Sequence, residues 1–148
     1  MPLSTRAYLS RKGTLELLCE INPAGSRFDD LVDELSISRP TLATRITEGS
    51  ELSLIEQKAV SGERGTTHKH VLTPRGATLR VRMFEEGLVL SYRQYKNARK
   101  QFEENSERFT DSIFENPPNL SDEKRNQENL QTILQRSRLS HLIEDEDG

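Results

Sequence analysis

The sequence predicts a mainly α-helical chain carrying one small β-hairpin, an α+β arrangement in 148 residues. Three observations predict it. Residues 26–35 (SRFDDLVDEL) place Phe28, Leu31, Val32 and Leu35 at i, i+3, i+4 and i+7, which gives a helix one apolar face. Residues 54–60 (LIEQKAV) and 68–72 (HKHVL) read as strands on either side of SGERGTT, a run of turn formers. Beyond Thr73 and Pro74 no proline interrupts the chain until Pro117, and Val81, Leu88, Tyr95, Phe102 and Phe109 recur every seventh residue, the seam of paired helices.

Composition sets the limits. Hydrophobic residues make up 32% and charged residues 30%, with no Trp, so the core is small and part of the chain needs a partner to cover its apolar face. The single cysteine, Cys19, leaves no intrachain disulfide, and its place in an apolar band predicts a buried thiol rather than a redox switch. No stretch approaches the roughly 20 apolar residues of a membrane span, and the N-terminus lacks the apolar centre of a signal peptide. A soluble, cytoplasmic protein without membrane contact is expected. The net charge of −3 hides an uneven distribution: residues 36–80 hold seven Lys/Arg against four Asp/Glu, while both flanking segments are net acidic. Binding to a polyanion depends on that local excess rather than on the total.

Taken in order, residues 10–21 (SRKGTLELLCEI) predict a first helix and Asn22 to Gly25 a turn. Ser26 is expected to cap the second helix, with Asp29 completing an S-x-x-D box. The outer face of that helix, Asp29, Asp30, Asp33 and Glu34, is acidic and should point away from phosphates. Ser36 and Ile37 make a short turn into a third helix, capped by Ser38 with Pro40 in its first turn. Leu42 and Ile46, four apart, anchor that helix, while Gly49 and Ser50 are expected to end or distort it. After the hairpin, Thr73 caps a helix that can continue as one rod to about Phe109, on the order of 50 Å. Asn116 to Asn119 break it. A last helix runs from Ser121 to about Arg136, with a break near Ser137 or a second apolar patch facing another way, and the tail Glu144 to Gly148 (EDEDG) is expected to be disordered. The domain boundaries follow: residues 1–80 a domain of helices and one hairpin, 81–115 a long dimerisation helix, and 116–148 a C-terminal helix with an acidic tail.

Helix, helix, turn, helix, hairpin and a further helix reached through L-T-x-x-G is the order of a winged helix-turn-helix. Across residues 10–90 the chain resembles prokaryotic winged-helix transcription regulators, nearest the HxlR type, with MarR-, PadR- and ArsR-type relatives close behind. The residues carrying the likeness are Arg27, Phe28, Asp29 and Leu31; then Ile37, Ser38, Leu42, Arg45 and Ile46; Leu54, Ile55 and Glu56; and Leu72, Thr73 and Gly76. Ser53 stands where the family usually has a glycine before the wing. The cysteine that many HxlR-type proteins carry before the first helix is missing, so thiol sensing of that kind does not carry over.

The resemblance implies a homodimer that binds double-stranded DNA sequence-specifically and regulates transcription. The chemistry of the side chains fits: arginine can bridge guanine O6 and N7, and threonine offers a hydroxyl and a methyl. Arg39, Thr41, Thr44 and Arg45 are expected in the major groove, Ser36 and Ser38 on phosphates, and Lys58, Arg64 and Lys69 on the wing. Val81, Leu88, Tyr92, Tyr95, Phe102 and Phe109 are the expected dimer contacts. A winged helix can instead serve as a protein–protein adaptor without touching DNA, and the net acidity keeps that alternative open. An enzyme is not expected: Asp29/Asp33 and Glu85/Glu86 are carboxylate pairs with no histidine, metal set or phosphate loop beside them. No cofactor or metal is expected, since His68 and His70 lack further ligands nearby. Tyr92, Tyr95 and Phe102 could line an effector pocket, although the seam explains them better.

Overall fold

The structure is a computed structural model and describes residues 3–62, 65–118 and 123–146. By contacts it divides into two compact units, one ending at Arg99 and the other beginning at Lys100.

The first unit opens with α1 (Thr5–Leu9), capped by the Ser4 hydroxyl, which accepts from the Ala7 amide at 3.1 Å. The chain then turns, and α2 runs Thr14–Glu20. The helix expected over residues 10–21 therefore starts only at Thr14, because Gly13 takes φ +86°, a left-handed conformation that cannot continue a right-handed helix, and α1 is a separate helix before it. α3 spans Phe28–Glu34. Ser26 does not cap it. Instead its backbone exchanges two hydrogen bonds with His70, at 2.9 and 2.8 Å, forming an isolated bridge to the hairpin.

α4 (Arg39–Glu51) starts as the sequence predicts, with Ser38 accepting from the Thr41 amide and proline in the first turn. It does not end at Gly49. That glycine is buried where a Cβ would come within 2.7 Å of both the Ile55 side chain and the Tyr8 hydroxyl, so it serves close packing rather than termination. The helix runs on to Glu51 and is closed by the turn that follows. Ser53 takes φ +59°, its amide donates to the Ser50 carbonyl at 3.0 Å, and Leu54 donates back to Gly49 at 2.8 Å. That is the paired hydrogen-bond pattern of a Schellman cap, with serine in the position glycine usually takes.

β1 (Ile55–Gly62) and β2 (Gly65–Leu72) pair antiparallel in a two-stranded sheet, in register from Ile55↔Leu72 to Gly62↔Gly65. The strands extend further into SGERGTT than the turn formers suggested; Glu63 and Arg64 lie outside the described residues. At the foot of the hairpin Thr73 caps α5 (Pro74–Glu85), its hydroxyl accepting from Gly76 at 3.0 Å and donating to the Ser53 carbonyl at 2.5 Å. α6 (Leu88–Glu115) follows. The expected unbroken rod is interrupted at Gly87, whose φ of +82° stops α5 and redirects the chain. α7 (Glu123–Glu146) passes through Ser137, so of the two alternatives there the break does not occur, and it includes Glu144 to Glu146 of the tail expected to be disordered. Its expected cap, Ser121, lies outside the described residues, as do Asp147 and Gly148.

One core holds the first unit. Tyr8, Leu17, Leu18, Ile21, Leu31, Leu42, Leu54 and Ile55 are almost wholly buried, and Cys19, Met83 and Val89 complete the cluster. Helices α2 to α4 followed by a hairpin and α5 make this a winged helix-turn-helix. Among the described residues no helix is long and apolar enough to cross a membrane.

Candidate nucleic-acid interface

α4 is seated on the core by Leu42, Ile46 and Gly49, one side of the helix. The opposite side exposes Arg39, Pro40, Ala43, Thr44 and Thr47. This front strip carries no carboxylate on α4 itself from Arg39 to Thr47. Thr44 and Thr47 each donate to the carbonyl four residues back, at 3.0 Å, which leaves oxygen lone pairs and a methyl facing outward. Thr41 flanks the strip, half-buried, and accepts from the Ser38 hydroxyl at 2.9 Å. Thr47, three positions past Thr44, lies on the same face, and the sequence expectation does not include it.

The two arginines of α4 differ. Arg39 keeps 60% of its side chain exposed, with its guanidinium 5.7 Å from the centre of the Phe28 ring and one nitrogen 2.9 Å from the Asp29 carboxylate. Arg45 is only 12% exposed: it donates to the Lys12 carbonyl at 2.8 Å and to Glu48 at 2.6 Å. Glu48 also pairs with Arg11 at 3.3 Å, and the Tyr8 hydroxyl donates to the Arg45 carbonyl at 2.7 Å. The Arg45 side chain thus ties α4 to the α1–α2 segment. Nothing in the spacing of residues 36–48 separates the two arginines, because the distinction depends on what α1 and α2 bring against the flank.

Ser38 spends its hydroxyl on the helix cap, and Ser36 accepts from the Arg99 guanidinium. Arg99 also donates to the Glu34 carbonyl at 3.3 Å. Beside it Lys96 reaches Glu20 at 2.8 Å and Glu34 at 2.5 Å, and the Tyr92 hydroxyl donates to Glu20 at 2.7 Å. Burial, reinforced by the Glu20 carboxylate, pushes the Tyr92 hydroxyl well above its ordinary pKa, so it stays a proton donor. These contacts fasten the start of α6 to α2, α3 and the turn before α4. Tyr92 and Tyr95 help line a cavity of about 200 Å³ together with Lys12, Leu35, Ile37 and Arg99.

On the wing, Lys58 and Lys69 stand directly opposite each other across the two strands. Like charges at such a rung destabilise a hairpin unless an anion lies near them. His68 and His70 share the other face of β2. Burial, with help from His68, pushes His70 below the ordinary histidine pKa, so it is neutral at pH 7. Among the described residues no group of three or more His, Cys, Asp or Glu could hold a metal ion. Arg64, the third cation expected on the wing, lies outside the described residues.

The seam residues also separate. Leu88 and Tyr92 pack against the core of the first unit, whereas Val81, Tyr95, Phe102 and Phe109 are exposed, the two phenylalanines at 72% and 66%. Phe84, Leu90, Ile113 and Phe114 are exposed as well, together with Leu130, Ile133 and Leu134 on α7.

No protein-family profile matches the chain, and no curated protein matches it. Among solved structures it is similar to a possible HxlR family transcriptional factor from Thermoplasma volcanium, at 20% identity over 62% of this chain and 83% of that one, with a TM-score of 0.49. It is also similar to the solved structure of a transcriptional regulator, at 19% identity over 90% of this chain and 83% of that one, with a TM-score of 0.46.

Proposed function

We propose that the protein is a sequence-specific DNA-binding transcription regulator that works as a homodimer. The observation that carries this reading is the exposed strip of α4. An exposed strip with an arginine, two threonines and no acidic side chain between Arg39 and Thr47 offers the donors, acceptors and methyls that base edges in the major groove can match. Arg39, Thr44 and Thr47 make the base contacts, with Thr41 at their flank. Lys58 and Lys69 supply phosphate contacts, and phosphate resolves the repulsion built into their shared rung. Arg64 would join them. Arg45, Ser36 and Ser38 act one step back, in holding the helix and its turn in place.

The dimer rests on charge as well as exposed apolar surface. Residues 100–115 hold two Lys/Arg and five Asp/Glu, whereas residues 123–138 hold four and two. Each segment presents an apolar stripe, so the acidic end of α6 suits the basic start of α7 from a second copy. Two reading heads related by a two-fold axis would contact half-sites about 10–10.5 base pairs apart, or a multiple of that.

The test is selection of a bound site from random duplexes, followed by titration of variants. Arg39→Ala should weaken binding to the selected site by about 1–3 kcal/mol and relax sequence choice. Lys69→Ala should weaken all duplexes alike and lower the salt slope by about one. Wild-type protein that passes through both a heparin and a duplex column at low salt would overturn the DNA-binding reading and leave the adaptor role in its place.

A further inference from the structure

We infer that Asp29 is a specificity-determining positioning residue, one that turns Arg39 away from phosphate and toward neutral base edges. The inference rests on the DNA-binding reading of α4. Its observation is separate: the carboxylate of α3 that should face away from DNA is bonded to the one exposed arginine of the reading strip, at 2.9 Å, with the Phe28 ring beneath the guanidinium.

Both side chains of the pair are exposed, Asp29 at 76%. Exposed pairs add little to folding stability, so stability does not account for the arrangement. Its consequence for a ligand is larger. Arg39 stands at the first position of α4, where the helix N-terminus already attracts phosphate. A free guanidinium there would be drawn to any backbone phosphate, whatever the sequence. Paired with Asp29, the group has no net charge, and the carboxylate repels an approaching phosphate. The pair uses one of the guanidinium's five N–H donors. Those remaining can still serve a neutral acceptor such as guanine O6 or N7. Phe28 and Asp29 also narrow the range of rotamers, which lowers the entropy lost when the arginine docks.

The experiment uses the full chain and compares the selected duplex with random-sequence duplex at several salt concentrations. Asp29→Asn should tighten binding to random DNA by about fivefold and steepen its salt slope by about one. The selected duplex should gain less, so the ratio between the two falls. Asp29→Glu should restore the ratio, and with Arg39→Ala already present Asp29→Asn should leave it unchanged. The melting temperature should stay level throughout. A wild-type chain that binds the selected duplex, but whose ratio is unmoved by Asp29→Asn, overturns this inference and spares the DNA-binding reading. So does a ratio that falls equally when Arg39 is absent. A wild-type chain that retains no duplex removes both.

Discussion

The residues up to Arg99 and those from Lys100 onward bury their apolar side chains by different means. In the first unit the apolar runs from Tyr8 through Leu42 to Val89 find partners within the chain, and the seam side of α5 and α6, with Val81, Phe84, Leu90 and Tyr95, stays exposed. In the second no described side chain is buried, although Phe102, Phe109, Ile113, Leu130 and Ile133 recur at helical spacing. The same kind of sequence pattern is thus satisfied internally in one region and left open in the other. What separates them is composition around the seam. Loops rich in turn formers return the chain on itself before Leu88, whereas α6 and α7 are long, highly charged helices with few apolar positions per turn.

The most disruptive test of that difference acts on the first region alone. Gly76 packs against the Leu54 backbone so closely that a Cβ would lie 2.1 Å from the Leu54 carbonyl oxygen. Backbone cannot swing aside as a side-chain end can. Gly76→Ala should therefore cost about 3 kcal/mol or more and drop the melting temperature of the first unit sharply. The complementary test acts on the second region. Phe102→Asp with Phe109→Asp should convert the proposed dimer to monomer in light scattering, while near-ultraviolet and thermal signatures of the first unit stay in place. A first unit that loosens with this double variant would show that the two regions are not separately satisfied.

The contrast also marks how much could be read from residues alone. The Phe28–Leu35 face, the Ser38 and Thr73 caps and the hairpin were legible because each depends on neighbours within a few positions. The breaks at Gly13 and Gly87 were harder, since a glycine inside an apolar period can either continue a helix or leave it, and the left-handed choice is set by tertiary packing. Gly49 erred the other way: it reads as a terminus and instead admits Ile55 and the Tyr8 hydroxyl. At the site, the cationic and hydroxyl-rich character of α4 was plain, yet the separate fates of Arg39 and Arg45 were not. They are decided by Asp29 and by the Lys12 carbonyl, ten and more than thirty residues away along the chain.

A milder perturbation uses the tyrosine beneath α4. Tyr8 is wholly buried, and burial first, then the Glu48 carboxylate, pushes its hydroxyl far above the ordinary pKa of 10.0, with Arg45 opposing. The folded chain therefore holds the proton that the unfolded chain releases near pH 10. Stability from this group is complete below pH 10 and is lost as pH rises from there toward the folded value; Tyr92 acts in the same sense. Tyr8→Phe leaves the Arg45 carbonyl without its partner and should cost about 1 kcal/mol at neutral pH. It cannot ionise, so it should also lose less stability between pH 9 and 11 than wild type, as read by urea midpoints across that range. Equal alkaline losses in the two proteins would mean that Tyr8 is accessible to solvent when folded, and that the first region is less self-contained than its packing implies.

The smallest expected effect lies at the joint between α4 and the wing. Ser53 takes φ +59°, a conformation that costs a residue with a Cβ and costs glycine little. Its amide and that of Leu54 close α4, and its carbonyl receives the Thr73 hydroxyl that caps α5, so the residue couples two helix ends. Ser53 enters these contacts through backbone atoms alone. Ser53→Gly keeps all of them, relieves the left-handed strain and adds some freedom to the unfolded chain, which offsets part of the gain. The net change should be a stabilisation of about 0.5–1 kcal/mol, seen as a higher urea midpoint with an unchanged slope. Because the residue touches no face of α4 offered to a ligand, duplex affinity should not move. A destabilised Ser53→Gly would place the cap's energy in the serine hydroxyl instead of the backbone geometry.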